Sequence, residues 1–170
     1  YNKKNMYDDE NFDYHINTRR ICNMVYNNDS FRYVTKNDSE YAKSKNIEYD
    51  ELYQSGSLKV DSGLQYLSPK FNRMMNNIKK FSLQNSKGKI LFYSEFRADS
   101  GAEIFERILQ ANNYTKLGDN AETKSYRYTF ITGSESVQER LKNLKIFNDI
   151  KNNHGEYVQI MIISGAGAEG

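Results

Sequence analysis

The sequence of 170 residues contains one cysteine, one proline, two histidines and no tryptophan. A single thiol, Cys22, excludes an intramolecular disulfide and most zinc sites, which draw on several Cys and His ligands. Cys22 reads as a small buried residue rather than as a nucleophile. His15 and His154 have no ligand-spaced partners, so no metal site is expected. An excess of either charge is also missing. Lys and Arg number 24 against 22 acids, a net charge of +2, so any basic surface must be local. No apolar run approaches the about 20 residues of a membrane-spanning helix, and no signal peptide is visible. No membrane partner is expected, and an intracellular, reducing setting fits best. With 38% hydrophobic residues, the core is modest, and the length suits one α/β domain plus an accessory segment.

What the sequence does have is Asn, Lys and Tyr, with 14 Tyr in all. This bias is as compatible with an AT-rich coding sequence as with a function. The chain starts at Tyr1 rather than at a methionine, which reads as an internal piece of a longer protein. Pro69 divides two styles of sequence. Residues 1–66 are polar, and their best apolar run is "RRICNMVY", Arg19 to Tyr26. They are expected to form short helices and irregular connections. Within them "NIEYDELYQSG" suggests a helix stopped by Gly56. The acidic run Asp8, Asp9 and Glu10 reads as a solvated surface.

From residue 67 onward the pattern becomes regular. "SPKFNRMMNNIKKFSLQ" opens with Ser68 as N-cap and Pro69 at the first helical position. Phe71, Met74, Met75, Ile78 and Phe81 then recur at helical spacing, as a core-facing stripe. "KILFYS" predicts a strand over 89–94, and "SGAEIFERILQANN" a helix burying Ile104, Phe105, Ile108 and Leu109. A short strand at 114–117 and a surface loop at 118–125 come next. "YRYTFIT" predicts a strand over 126–132. "SVQERLKNLKIFNDI" predicts a helix over 136–150 with Val137, Leu141, Leu144, Phe147 and Ile150 as its apolar positions. "VQIMIIS" predicts a last strand over 158–164. Alternating strands and helices indicate βαβ units and a parallel sheet. Right-handed crossovers then align the C-terminal strand ends along one edge, where such sheets bind ligands.

Three polar or Gly-rich turns fall at that edge. They are Ser94-Glu95-Phe96-Arg97, Gly133-Ser134-Glu135-Ser136, and Ser164-Gly165-Ala166-Gly167-Ala168-Glu169-Gly170. Backbone N–H groups in such turns can hold phosphate oxygens. Each is equally what any parallel α/β domain needs structurally: Ser136 is a good N-cap and Gly133 a good turn residue. "GAGAEG" matches the letters of a dinucleotide fingerprint but not its place after the first strand of a unit, and no Walker lysine accompanies it.

Taken together, the turns resemble a family. Residues 67–170 look like the second RecA-like lobe of a superfamily 2 helicase of the Swi/Snf type. "LSPKFNRMMNNI" is similar to the Ser-Pro-Lys helix that enters that lobe, and "KGKILFYSEF" resembles the fourth motif. "ITGSESVQERLKNLKIFND" resembles the next block, with Arg140 and the Phe147-Asn148 pair in their places. "IMIISGAGAEG" resembles the fifth motif. "RRICNMVY" and "GAGAEG" are also similar to segments in helicase-like nucleoside triphosphatases of large cytoplasmic DNA viruses, among them poxvirus-type transcription ATPases and the small subunit of the early transcription factor.

The resemblance implies a parallel-sheet RecA-like C-terminal lobe, incomplete at its C-terminus, preceded by an inter-lobe segment at 1–66. It implies that Ser94, Phe96, Arg97, Gly133, Ser134, Ser164 and Gly165 face nucleic acid, and that Gly167, Glu169 and Gly170 approach an ATP cleft. Glu169 stands where the wider family varies. Arg140 has a plainer reading as a surface ion pair, which stabilises little. ATP hydrolysis in such proteins also needs a Walker lysine, Mg²⁺-binding and water-orienting acids, and an arginine finger. None is present here, so this chain alone is not expected to hydrolyse ATP. The implied partners are DNA, through sequence-independent backbone contacts, and RNA polymerase or other transcription proteins. If the protein is viral, the implied setting is host cytoplasm and virion. A non-catalytic RecA-like module docking on a transcription complex is the alternative. A small-molecule α/β enzyme is disfavoured, because no nucleophile–base pair is present.

Overall fold

The computed structural model describes residues 22–25, 49–83, 88–97, 100–118 and 126–165. The elements used below are α1 (Leu64–Leu67), α2 (Pro69–Leu83), β1 (Ile90–Ser94), α3 (Ala102–Ala111), β2 (Thr115–Lys116), β3 (Arg127–Ile131), α4 (Val137–Asn148) and β4 (Ile160–Ser164). A 3₁₀ turn at Ile150–Asn152 follows α4. The expected helix near 46–56 has its described part at 49–54, and Gly56 ends it with φ +74°, a left-handed value that glycine tolerates without strain. The expected loop at 118–125 lies outside the described residues from 119 onward, as do Asp8, Asp9, Glu10 and His15.

Helix α2 begins as its sequence dictates. The Ser68 hydroxyl accepts the Phe71 N–H at 3.0 Å, and Pro69 takes the first position, where its missing N–H costs nothing. Phe71, Met75 and Ile78 are buried. Helix α3 buries Ile104, Phe105, Ile108 and Leu109, the four positions its periodicity marks. Among the described residues the strands form one four-stranded sheet in the order β1-β4-β3-β2, parallel throughout. This is the α/β architecture of a RecA-like lobe. The alternation of each strand assigns its side chains to two faces. Ile90 and Phe92 of β1, Tyr128 and Phe130 of β3, and Ile160 and Ile162 of β4 point into the larger core with α2 and α3. Ile131 and Met161 point the other way, joining Val158 and Phe147 of α4 in a smaller core.

The larger core also takes in residues upstream of α2. Met24, Tyr49, Leu58 and Leu64 are all fully or nearly fully buried in it. Asn112, at the end of α3, fastens this segment in place. Its amide donates to the Leu58 and Ile108 carbonyls at 3.0 and 2.8 Å, and its oxygen accepts the Val60 N–H at 3.2 Å.

One sequence expectation needs correction, and one helix face differs from its pattern. Cys22 is exposed, not buried; it is its near neighbour Met24 that enters the core. The apolar stripe of α4 is mostly uncovered: Phe147 is buried, whereas Val137, Leu141 and Leu144 are exposed and Ile150 is 85% exposed. The helix ends at Asn148, and the following 3₁₀ turn rotates Ile150 out of the stripe.

Candidate functional site

The strand register gathers the polar turns at one edge. Ser94 of β1 pairs with Ser164 of β4, and Ile131 of β3 pairs with Ile163 of β4. The three chain exits are therefore level with one another. Gly165 lies against the exit of β1: a Cβ there would stand 3.6 Å from Glu95 Oε1 and 3.7 Å from the Tyr93 hydroxyl. That hydroxyl donates to Glu95 Oε2 at 3.0 Å. Ser164 is 2% exposed, and its hydroxyl is buried without a hydrogen-bond partner among the described residues. Gly167, Glu169 and Gly170, assigned to a nucleotide by resemblance, lie outside the described residues.

The turn after β1 is fixed to the start of α3. The Ser94 hydroxyl accepts the Phe96 N–H at 3.2 Å. The Phe96 and Arg97 carbonyls accept the Ala102 and Glu103 N–H groups at 3.0 and 2.9 Å. This approach depends on Gly101, where a Cβ would stand only 1.9 Å from the Phe96 carbonyl oxygen. Arg97 is half-exposed, and its Nε lies 3.3 Å from Glu103. Upstream residues brace the same turn. Asn23 donates to the Ser100 carbonyl at 3.1 Å, the Tyr49 hydroxyl accepts the Ser100 N–H at 3.4 Å, and Ser100 itself takes φ +67°. Asn23 also accepts from Lys70 and, through its carbonyl, from Ser68. A groove of about 390 Å³ runs here, between Cys22, Asn23 and Lys70 on one side and residues 93–96 on the other.

The turn after β3 is held by an acid. One Glu135 oxygen accepts both the Thr132 N–H and the Thr132 hydroxyl at 2.7 Å, and the other accepts the Ser134 hydroxyl at 3.0 Å. Burial alone would raise the Glu135 pKa, but these hydrogen bonds outweigh it and hold the carboxyl below its ordinary value. Gly133 and Ser134 are exposed. Next comes a complete capping box: the Ser136 hydroxyl accepts the Glu139 N–H at 3.2 Å, and Glu139 accepts the Ser136 N–H at 3.0 Å. Hydrogen bonds from the Ser136 backbone and hydroxyl lower the Glu139 pKa as well. Arg140 forms no ion pair among the described residues, and its Nε is buried without a hydrogen-bond partner.

A polar cleft of about 230 Å³ opens beside this turn. Its cations each face an acid: Arg97 with Glu103, Arg107 with Asp50 at 2.9 Å, and Lys116 with Glu106 at 3.9 Å. Among the described residues the cleft therefore presents paired charges rather than a basic stripe. A second, apolar groove of about 570 Å³ lies elsewhere, where α2 meets the outer side of β1, lined by Met74, Ile78, Phe81, Leu91 and others. No group of three or more His, Cys, Asp and Glu able to hold a metal exists among the described residues, and no described helix is long and apolar enough to cross a membrane.

Sequence reading missed the bracing by Asn23 and Tyr49, since contacts spanning 77 and 51 positions leave no local pattern. It also gave Glu135 no role, because which donors an acid in a turn occupies is set by side-chain geometry.

Comparison with known proteins adds a distant likeness. No protein-family model matches the chain. It is 29% identical to the termination factor NPH-I homolog of an African swine fever virus isolate from a Kenyan pig, over 61% of this chain and 19% of that protein. The counterpart from a Malawian tick isolate is 28% identical over the same shares. The chain thus spans about a fifth of the length of the curated relatives it matches.

Proposed function

We propose that this chain is the second RecA-like lobe of an ATP-dependent DNA translocase or helicase acting in viral transcription, and that it holds the nucleic-acid backbone at its strand-end edge. The observation that carries this reading is the register that brings residues 94–97, 132–136 and 164–165 to one edge of a parallel sheet. The likeness to viral termination factors supports the setting. Exposed Arg97, Gly133 and Ser134 then meet phosphates directly, with Phe96 and Gly165 beside them. Ser94 and Ser164 act from the register pair beneath, where the unpartnered Ser164 hydroxyl needs only a local shift of the exit to find an acceptor. Such contacts are sequence-independent and suit movement along a strand. Gly167, Glu169 and Gly170 approach an ATP cleft. ATP and Mg²⁺ would be held mainly by residues outside this sequence, so hydrolysis belongs to a larger protein. The host cytoplasm and the virion are the proposed locations.

Binding of single- and double-stranded DNA to the 170-residue chain, measured across salt concentration, tests the reading. Binding that weakens steeply with salt is expected. Absence of binding at low salt overturns it. A second reading has its own observation. The uncovered stripe Val137, Leu141 and Leu144 on α4 suits a non-catalytic lobe that docks on RNA polymerase or another transcription protein. That reading gains if DNA binding is absent while a transcription complex retains the chain, and loses that support if Leu141→Lys leaves retention unchanged.

A further inference from the structure

The turn after β3 already contains an anion. The Thr132 N–H, the Thr132 hydroxyl and the Ser134 hydroxyl form a compact donor set at the exit of a parallel strand, the kind of set that takes phosphate oxygens. Both oxygens of the Glu135 carboxylate occupy it, at 2.7 to 3.0 Å. We propose that Glu135 is a built-in competitor for nucleic-acid phosphate, which leaves these donors before a phosphate can take them. The inference rests on the nucleic-acid reading above and adds to it a residue that restrains binding.

Several features make the exchange feasible. Glu135 is only partly buried, and the two residues before it are exposed, so the carboxylate can leave without unfolding the core. The adjoining cleft of about 230 Å³ is lined by Arg97, Arg107 and Lys116. These cations give the displaced carboxylate a destination: Arg97 and Lys116 are about half-exposed, where pairing is weak, and the Lys116–Glu106 contact is long at 3.9 Å. A phosphate and the carboxylate cannot share the donors, because two anions at that distance repel. Helix α4 does not depend on Glu135 for its start. The capping box of Ser136 and Glu139 supplies that separately.

The structural alternative is that Glu135 merely ties the turn together. Glu135→Gln separates the two, since the amide oxygen still accepts the Thr132 N–H while the charge is gone. Binding of a random-sequence DNA duplex to the 170-residue chain is measured at low salt for the wild type, Glu135→Gln and Glu139→Gln. About tenfold tighter binding by Glu135→Gln, with a clearly smaller gain for Glu139→Gln, is expected if a competing anion is lost. Equal gains for the two variants would mean a general charge effect and would overturn the proposal. So would wild-type binding with no gain on Glu135→Gln, which leaves the nucleic-acid reading standing. If neither the wild type nor any variant binds, both readings fail. Glu135→Ala, which vacates the donors entirely, is measured alongside, with thermal unfolding of each variant. A folded Glu135→Ala that binds no tighter than wild type also counts against the proposal.

Discussion

The two faces of the sheet are built differently. On one, α2, α3 and the segment upstream of α2 cover β1, β3 and β4 with a continuous apolar core, in which Phe71, Phe92 and Phe105 stack ring upon ring. On the other, α4 covers β3 and β4 through a small cluster around Ile131, Phe147, Val158 and Met161. Over β1 that face is open, and Leu91 and Tyr93 are 60% and 53% exposed. Parallel sheets usually bury both faces. Here the apolar pattern of β1 is equally strong on both sides, but only one side meets a described helix. Hydrophobic pattern states what can be buried; tertiary structure decides what is.

The largest effect should come from breaking the thick face. Phe105 is fully buried, with its ring centroid 4.0 Å from that of Phe92 and 5.7 Å from that of Phe71. Phe105→Ala should destabilise the fold by about 3–5 kcal/mol, read as a lower midpoint of urea unfolding. A loss below about 1 kcal/mol would mean that the stack is not central to the core.

On the thin face, polar bonds do much of what packing does opposite. Asn152 is fully buried between α4 and β4. Its amide donates to the Phe147 and Val158 carbonyls, both at 3.0 Å, and its oxygen accepts the Tyr157 and Val158 N–H groups at 2.8 and 2.9 Å. No apolar residue can replace four bonds made from one side chain. Asn152→Ala should therefore cost about 2–3 kcal/mol by stranding buried backbone groups. Asn152→Asp restores the acceptor but not the donor, so it should recover only part of that loss. Full recovery would show that only the two N–H contacts matter.

How far the sequence could be read follows the same division. The Ser68-Pro69 start of α2, the four buried positions of α3 and the parallel direction of the strands are local or periodic signals, and each has its counterpart in the structure. The uncovered stripe of α4 was not legible, because its period is that of a buried helix. Nor was the role of the upstream segment. Met24 and Tyr49 enter the core from a stretch whose composition looks polar, and Asn23 reaches the turn after β1 across 77 positions. At the candidate site, position was legible from the strand ends. The occupancy of the donors by Glu135 was not, since it depends on side-chain geometry.

The N-terminal turn of α4 should also make the thin face sensitive to acid. Glu135 and Glu139 both have pKa values lowered from 4.5 in the folded chain. A carboxyl with a depressed folded pKa stabilises the fold fully above its unfolded value. That contribution is lost as pH falls through the lowered folded value. The double variant Glu135→Gln, Glu139→Gln should thus be less stable than wild type near neutral pH, and the gap should narrow as pH falls below 4.5 and close only beneath the lowered folded values. A gap that stays constant with pH would mean that neither charge contributes. The effect should be smaller than either substitution above, since Glu139 is exposed and Glu135 only partly buried.

The smallest effect tests the comparison most directly. Leu141 sits mid-helix on α4 and is 61% exposed, so truncation removes little buried area. Leu141→Ala should change stability by less than about 0.5 kcal/mol, with alanine's helix propensity offsetting any lost contact. Phe105→Ala makes the matching cut on α3, with a predicted cost several times larger. Were Leu141→Ala to cost 2 kcal/mol or more, about the loss typical of a buried leucine, the stripe would be covered in solution. The thin face would then be an interior surface, and the contrast between the two sides of the sheet would disappear. If the cost is negligible in the isolated chain but appears when a transcription complex is added, the same leucine becomes a direct reading of where that complex docks.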